Sequence, residues 1–181
     1  DDLKKCSGFW IILFKTILSK LYHWKIYVVG SVEYQYPNHL FQAGYFLDKK
    51  YYDENTIDFK HLLLSEKNQS LLKDIQNSNS VGVHIRRGDY MTKQNLVIFG
   101  NICTQKYYHD AIRIITEKVN DAVFYVFSDD ISWVQTHLDI PNAVYVDWNT
   151  GESSIYDMYL MSSCKYNIIA NSTFSYWAAR L

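Results

Sequence analysis

The sequence predicts an α/β fold built on a parallel β-sheet with helices on both faces. After residue 80, short apolar runs rich in β-branched and aromatic residues alternate with longer stretches of helical periodicity. Polar residues follow most of these runs directly, as they do where buried strands end at the surface of a sheet. With 181 residues, 48% of them apolar, and only two prolines, the chain is long enough to bury such a core.

The first part of the chain is predicted to hold two helices, one strand and an aromatic-rich segment. In chain order these are a helix over 9–24, a strand over 26–29, the aromatic-rich segment 34–52 and a helix over 57–75. The apolar run at 9–14 is too short to span a bilayer. The polar run 76–80 predicts a loop, and we place the boundary between two domains, 1–78 and 79–181, at this loop.

The second part is predicted to alternate strands and helices. The predicted strands are 81–85, 122–127, 144–146 and 166–170, and the predicted helices are 105–118, 131–138, 153–164 and 176–181. Thr104 is the expected N-cap of the helix over 105–118, because its hydroxyl can accept from a free N–H group of the first turn.

Composition and motif content argue against several classes of protein. A net charge of −1 does not support binding to nucleic acid through a broad positive field. Three widely spaced cysteines and six scattered histidines form no disulfide framework and no metal-ligand pattern. The sequence has no Walker A run, no G-x-G-x-x-G and no nucleophile elbow. Without a signal-peptide pattern we expect a cytoplasmic protein, and peripheral contact with the inner face of a membrane stays open.

Charged and hydroxyl side chains follow three of the predicted strands. They form the motifs His84-Ile85-Arg86-Arg87-Gly88-Asp89, Ser128-Asp129-Asp130 and Asn171-Ser172-Thr173. The carboxyl ends of parallel strands open on one edge of the sheet, where ligands bind. Adjacent guanidiniums suit a phosphate or pyrophosphate, and a hydroxyl-rich turn into a helix suits an anion. We therefore predict a nucleotide diphosphate site, with the acids contacting the ribose or the base.

Each motif also has a purely structural interpretation. The arginines can form ordinary ion pairs with Asp89, and the other acids and hydroxyls can cap the helices that follow them. Only their predicted convergence on one edge of the sheet favours the ligand site.

Taken together, the motifs resemble those of the α-1,2-fucosyltransferases of glycosyltransferase family 11. The resemblance extends from about Tyr34 to the end of the chain, in the family's order and spacing. The stretches that carry it are 44–52 (GYFLDKKYY), 84–90 (HIRRGDY), 126–130 (VFSDD) and 168–179 (IIANSTFSYWAA).

The resemblance implies a GT-B-like fold, with a Rossmann-like donor-binding domain at 79–181 and part of an N-terminal acceptor domain at 1–78. It implies metal-independent and inverting transfer of L-fucose from GDP-fucose to a galactose-terminated glycan in α-1,2 linkage, with no cofactor. The family's N-terminal glycine-rich motif is absent, and the chain stops at Leu181, directly after the last motif. We interpret the sequence as a fragment that can be inactive by itself.

The resemblance also assigns roles to individual residues. Arg86 corresponds to the arginine that contacts the diphosphate, with Arg87 beside it, and His84 to a nucleotide contact. The remaining positions are Ser172 and Thr173 in the phosphate-binding turn and Asp129 and Asp157 in the guanosine pocket.

Alternatives stay open both for the catalytic base and for the activity itself. Asp89 is the nearest candidate base, although it can instead orient Arg86 or Arg87. A base from outside this chain, or an oxocarbenium-like transition state without a base, is also open. The alternative functions are a nucleotide-sugar or glycan-binding module without catalysis and a fucosyltransferase of 1,6 or protein O-linkage.

Overall fold

The structure is a computed structural model that describes residues 58–181, strands β1 (Tyr27–Val29) and β2 (Phe41–Ala43), and the helical residues Ile17 and Lys20. Strands β1 and β2 pair in parallel. The other predictions for the first 57 residues, including the motif at 44–52, lie outside the described residues. The chain divides into two compact units, Asp1–Thr56 and Ile57–Leu181. The second unit carries the motifs between residues 84 and 179 and is described below.

A four-stranded, all-parallel sheet forms the centre of the second unit, as predicted. Its strands are β3 (Asn79–Ile85), β4 (Ala122–Ser128), β5 (Ala143–Val146) and β6 (Tyr166–Ile168). Their order in the sheet is β5-β4-β3-β6. The chain therefore builds the sheet outward from β3 to β5 and then returns to add β6 on the other side of β3. Such a reversal leaves a crevice beyond the carboxyl ends of the two strands at which it occurs, here β3 and β6.

Five helices accompany the sheet within the described residues. They are α1 (Glu66–Asn77), α2 (Gln105–Lys118), α3 (Ile131–His137), α4 (Ser154–Ser162) and α5 (Thr173–Ala178). Short helical turns at Gly88–Met91, Lys93–Asn95 and Leu96–Gly100 connect β3 to α2. Helix α2 has the predicted limits, and Oγ1 of Thr104 accepts from the main-chain N–H of Tyr107 at 3.4 Å.

Three local predictions were wrong. The last helix, expected over 176–181, spans Thr173–Ala178. The helix expected from residue 57 begins only at Glu66, because the hydroxyl of Ser65 accepts from the N–H of Asn68 and caps it there. The loop expected at 76–80 is reduced to Ser78, since α1 continues to Asn77 and β3 begins at Asn79. Helix α1 thus belongs to the same compact unit as the sheet.

Apolar side chains of alternating direction fill a core on each face of the sheet. On one face Val83 and Val126, both fully buried, pack with side chains of α2 and α3 such as Ile112. On the other face Tyr125 and Phe127 pack with α1, α4 and α5. Burial of one such side chain contributes about 1.5–3 kcal/mol, so the two cores hold the strands in register. The predicted placement of helices on both faces is confirmed.

Gly82 allows α4 and β6 to approach β3 closely. A Cβ atom at this position would collide with Oδ1 of Asn167 and lie 3.0 Å from Cγ of Met161, a fully buried side chain. No helix within residues 58–181 is long and apolar enough to cross a membrane.

We expect Gly82→Ala to lower the free energy of unfolding by about 1–3 kcal/mol, the usual cost of overpacking a core. Urea denaturation followed by circular dichroism measures the change. Gly151→Asn is the control, because nothing lies within 4 Å of an added Cβ there and asparagine tolerates its φ of 59°. Equal stability of Gly82→Ala and the wild type would contradict the close packing of α4 on β3.

Candidate functional site

The register of β3 and β4 places the charges that follow one strand against those that follow the other. The two strands pair in parallel along their whole length. In the next pair of positions, Nη1 of Arg86 donates to Oδ2 of Asp129 at 2.7 Å. One position further, Nε of Arg87 donates to Oδ2 of Asp130 at 3.2 Å. Two ion pairs thus continue the pairing of the strands past the end of the sheet.

Arg86 lies between two carboxylates. Its Nη2 donates to Oδ1 of Asp89 at 2.7 Å, in addition to the bond from Nη1 to Asp129. These bonds use two of the five N–H donors of the guanidinium, and the side chain is 34% exposed. Arg86 therefore retains donors for a further acceptor on the solvent side.

Asp129 also fixes the main chain of the arginine loop, which we define as residues 86–90 after β3. Its Oδ1 accepts from the N–H of Arg87 at 2.9 Å while its Oδ2 pairs with Arg86. Gly88 makes room for this carboxylate, because a Cβ atom at that position would collide with Oδ2 of Asp129. Asp129 is thus the side chain that shapes the loop after β3.

Arg87 is fastened to helix α3. Its guanidinium carbon lies 3.5 Å from the ring centre of Trp133, and its side chain is only 17% exposed. Its partner Asp130 caps α3 by accepting from the N–H of Trp133 at 3.2 Å. The capping expected of Asp130 is confirmed, and Arg87 braces the loop against this helix.

Ser172 and Thr173 begin helix α5 next to β3. Ser172 occupies the N-cap position, but its side chain makes no capping hydrogen bond. Its main-chain N–H donates to the carbonyl of Ala170 at 2.8 Å, which gives the turn a tight bend. The hydroxyls of this turn are therefore not committed to capping the helix.

His84 is a buried, neutral histidine. It is 6% exposed, its ring lies 4.9 Å from that of Phe174 on α5, and its Nδ1 has no partner among the described residues. Burial, with a smaller contribution from the charge of Arg86, lowers the pKa of His84 to about 3. The imidazole can therefore donate or accept a hydrogen bond but carries no charge at neutral pH.

Asp157 lies on α4 in a second polar network. Its Oδ1 accepts from Nδ2 of Asn149 at 2.7 Å, and Asn149 bonds in turn to Asn68 of α1. Trp148 donates from Nε1 to Oδ1 of Asn68 at 2.7 Å. Burial raises the pKa of the Asp157 carboxyl to about 7. The hydrogen bond between Asn149 and Asp157 does not reach the arginine cluster, the group of ion-paired side chains formed by Arg86, Arg87, Asp89, Asp129 and Asp130.

The structure thus brings together four of the predicted site residues, namely Arg86, Arg87, Asp89 and Asp129. Sequence reasoning missed the network around Asp157, although its signal was of the same kind as the others. Trp148 and Asn149 follow β5 after one intervening residue, at the same edge of the sheet as the other motifs.

A parallel sheet whose order reverses beside an arginine-bearing loop is typical of proteins that bind a nucleotide or its derivative. The chain matches the model of glycosyl transferase family 11 over residues 12–181. It therefore belongs to glycosyltransferase family 11, as the motifs indicated.

Relatives of the chain include bacterial and mammalian transferases. The chain is 36% identical to an alpha-1,2-colitosyltransferase of Escherichia coli over 161 residues, 84% of the chain and 52% of that protein. It is 45% identical to the O-antigen biosynthesis glycosyltransferase WbnK of Escherichia coli over 107 residues, 59% of the chain and 35% of the relative. It is 30% identical to galactoside alpha-(1,2)-fucosyltransferase 2 of Pongo pygmaeus over 128 residues, 67% of the chain and 37% of the relative.

The matches thus span about a third to a half of the length of these relatives. No solved structure is significantly similar to the chain.

His84 and Asp157 give opposite dependences of stability on pH. Because the folded state resists protonation of His84, the stability that this residue contributes above pH 6.5 is lost as the pH falls toward about 3. Because the folded state retains the proton of Asp157, its contribution is present below pH 3.8 and is lost as the pH rises through about 7. Between pH 3.8 and 6.5 the two residues therefore change the stability of the fold in opposite directions.

We expect Asp157→Asn to expose the titration of His84. The variant should lose about 1.4 kcal/mol of stability for each pH unit below 6.5, beyond any loss in the wild type. Denaturant unfolding between pH 4.5 and 8 measures this slope, with Asp139→Asn at an exposed position as the control. If the free energy of unfolding of Asp157→Asn and of the wild type changed with pH in the same way, the proposed opposite effects of His84 and Asp157 would be disproved.

Proposed function

We propose that the protein transfers L-fucose from GDP-fucose to a hydroxyl of a galactose-terminated glycan, forming an α-1,2 linkage with inversion at the anomeric carbon. The observation that carries the proposal is the position of Arg86, a partly exposed guanidinium at the reversal of the sheet in a member of glycosyltransferase family 11. We further propose a GT-B-like arrangement in which residues 79–181 bind the donor.

The charge balance of the arginine cluster determines how a diphosphate would enter. Two arginines face three aspartates, so the cluster carries a local charge of −1 before a ligand binds. Asp89 is the carboxylate that would yield its place, because its side chain is 57% exposed and that of Asp129 is 27% exposed. Asp129 also has a second bond, to the main chain of Arg87, that holds it in position. A diphosphate would thus replace Asp89 on Nη2 of Arg86.

This exchange gives Asp89 a role in the reaction. Its bond to Nη2 of Arg86 supports the orienting role that was the alternative considered from the sequence. Once replaced by phosphate, the carboxylate of Asp89 is free to turn away from Arg86. Inversion requires the hydroxyl to attack from the face of the sugar opposite the leaving group, so we propose that Asp89 turns toward that face and accepts the proton of the attacking hydroxyl there.

The leaving group acquires negative charge as the bond from the anomeric carbon to the β-phosphate oxygen breaks. Preorganised donors at that oxygen stabilise the charge in the transition state. We propose that Arg86 provides them, with the hydroxyls of Ser172 and Thr173, and that this counter-charge makes a metal ion unnecessary. His84 would contact the nucleotide as a neutral imidazole.

The two acids assigned to guanosine have different surroundings. Asp129 is engaged by Arg86 and the main chain of Arg87, so we propose that it holds the arginine loop. Asp157 has one oxygen bound to Asn149, and its second oxygen can accept from an N–H group of a guanine base once the carboxyl, whose pKa is about 7, has lost its proton. We propose Asp157 as the base contact.

Colitose is a second candidate for the transferred sugar. The specific observation in its favour is that the alpha-1,2-colitosyltransferase aligns with 84% of this chain, against 67% for the galactoside fucosyltransferase. Parallel assays with GDP-fucose and with nucleotide-activated colitose distinguish the two sugars, and linkage analysis of the product distinguishes α-1,2 from 1,6 or protein O-linked transfer. Binding of the donor without release of GDP would instead favour a binding module.

We expect Arg86→Ala to lower kcat by about 10²–10³, the usual effect of removing one preorganised donor from a charged transition state. Arg86→Lys should also fail, because an ammonium cannot contact two phosphate oxygens as the planar guanidinium does. GDP release in the presence of donor and acceptor measures the effect. Arg113→Lys on the exposed side of α2 is the matched control. Turnover of Arg86→Lys close to that of the wild type would overturn the assignment.

We expect transfer to continue in the presence of EDTA, since Arg86 supplies the counter-charge to the leaving diphosphate. The measurement is the initial rate before and after dialysis against the chelator. Loss of activity that Mg²⁺ or Mn²⁺ restores would contradict metal independence.

A further inference from the structure

The β6–α5 loop, residues 169–172, is held by side chains rather than by the sheet. The pairing of β3 with β6 ends at Val83 and Ile168, where the crevice between the two strands opens. Main-chain carbonyls beyond that point need other donors. Three side-chain hydroxyls provide them, from Tyr107 to Ile169 at 2.7 Å, from Ser175 to Ala170 at 3.1 Å and from Tyr90 to Asn171 at 2.9 Å.

Tyr90 differs from the other two donors because it belongs to the arginine loop. It follows Asp89 directly, and the guanidinium carbon of Arg86 lies 5.6 Å from the centre of its ring. The hydroxyl at the other end of the same side chain reaches across the crevice to the carbonyl of Asn171. One rigid aromatic side chain thus links the two loops that border the crevice.

The position of Tyr90 is itself fixed. Its ring stacks on that of Phe99 at 4.8 Å, and Nδ2 of Asn171 donates to the carbonyl of Phe99 at 3.4 Å. Nδ2 of Asn95 donates to the carbonyl of Asp89 at 3.0 Å. The turns between β3 and α2 therefore support Tyr90 from behind, and the hydroxyl bond joins a supported ring to a stretch of loop that lies beyond the strand pairing.

We infer that Tyr90 is a positioning residue that sets the separation between Arg86 and the Ser172–Thr173 turn, so that both contact the same diphosphate. The inference rests on the proposed function, because it presumes a diphosphate donor in the crevice. Loss of the Tyr90 hydroxyl leaves the carbonyl of Asn171 without this donor and loosens the turn relative to Arg86. The ring and its stacking on Phe99 remain.

Tyr90→Phe tests the inference with the smallest change, the removal of one oxygen atom. Tyr166→Phe removes the same atom from an exposed tyrosine at the amino end of β6, the end opposite to the crevice, and is the control. Three quantities are measured in the purified protein: amide hydrogen exchange at 169–174, the affinity for GDP, and kcat and KM for GDP-fucose and for the acceptor. The melting temperature of each variant is recorded alongside.

For Tyr90→Phe we expect faster exchange at 169–174 and an affinity for GDP that is about two- to tenfold weaker, the range that one net hydrogen bond supports. The value of kcat/KM for the donor should fall by a similar factor, while the KM for the acceptor stays unchanged. A role in general stability alone would lower the melting temperature without this selective loss. Tyr166→Phe should match the wild type in every quantity.

Two outcomes overturn the inference. If Tyr90→Phe had the hydrogen exchange at 169–174 and the affinity for GDP of the wild type, the hydroxyl bond would not hold the β6–α5 loop in place. Faster exchange with unchanged affinity for GDP would mean that the loop moves without consequence for the ligand. If instead the wild type neither binds GDP nor transfers fucose, the proposed function itself fails, and the inference falls with it.

Discussion

The parallel pairing of β3 with β4 determines the geometry of the candidate site. The register is fixed by apolar side chains that alternate between two cores, so a slip by one residue would turn Val83 and Phe124 out of the core that fits them into the opposite one and is strongly disfavoured. With that register Arg86 can only meet Asp129, and Arg87 can only meet Asp130. The positions of four charges at the surface thus follow from packing in the interior.

This arrangement prepares the arginines and restrains them at the same time. Carboxylates hold both guanidiniums in one geometry, which lowers the conformational entropy that a ligand would otherwise have to remove. The same carboxylates reduce the positive potential, because the cluster has one more acid than base. A diphosphate, with more charge than any single carboxylate and a geometry that suits the guanidinium fork, can compete for Arg86 where a weaker anion would not.

Local patterns predicted the parts of the fold that local interactions determine. Thr104 capped α2 as expected, and the apolar runs became buried strands. The helix limits near 57 and 76 were wrong because the apolar pattern begins before Ser65, which caps the start of α1, and ends before Ser78, where the helix stops. The bonds from Tyr90 to Asn171 and from Asn68 to Asn149 each join residues 81 positions apart. No pattern in a single sequence identifies such partners, so the convergence of strand ends was predictable and the contacts within it were not.

The arginine loop is anchored on both sides of Arg86. This explains why Arg87 holds the loop while Arg86 is accessible to a ligand. On one side Arg87 is clamped between Trp133 and Asp130, which ties the loop to α3. On the other side Tyr90 bonds to the β6–α5 loop. Arg86 lies between these anchors, and its hydrogen bonds within residues 58–181 go to carboxylates, which are groups that phosphate oxygens can replace. Arg87 could bind a phosphate only by leaving the ring of Trp133, so the more exposed Arg86 is the guanidinium that a ligand can reach without dismantling the loop.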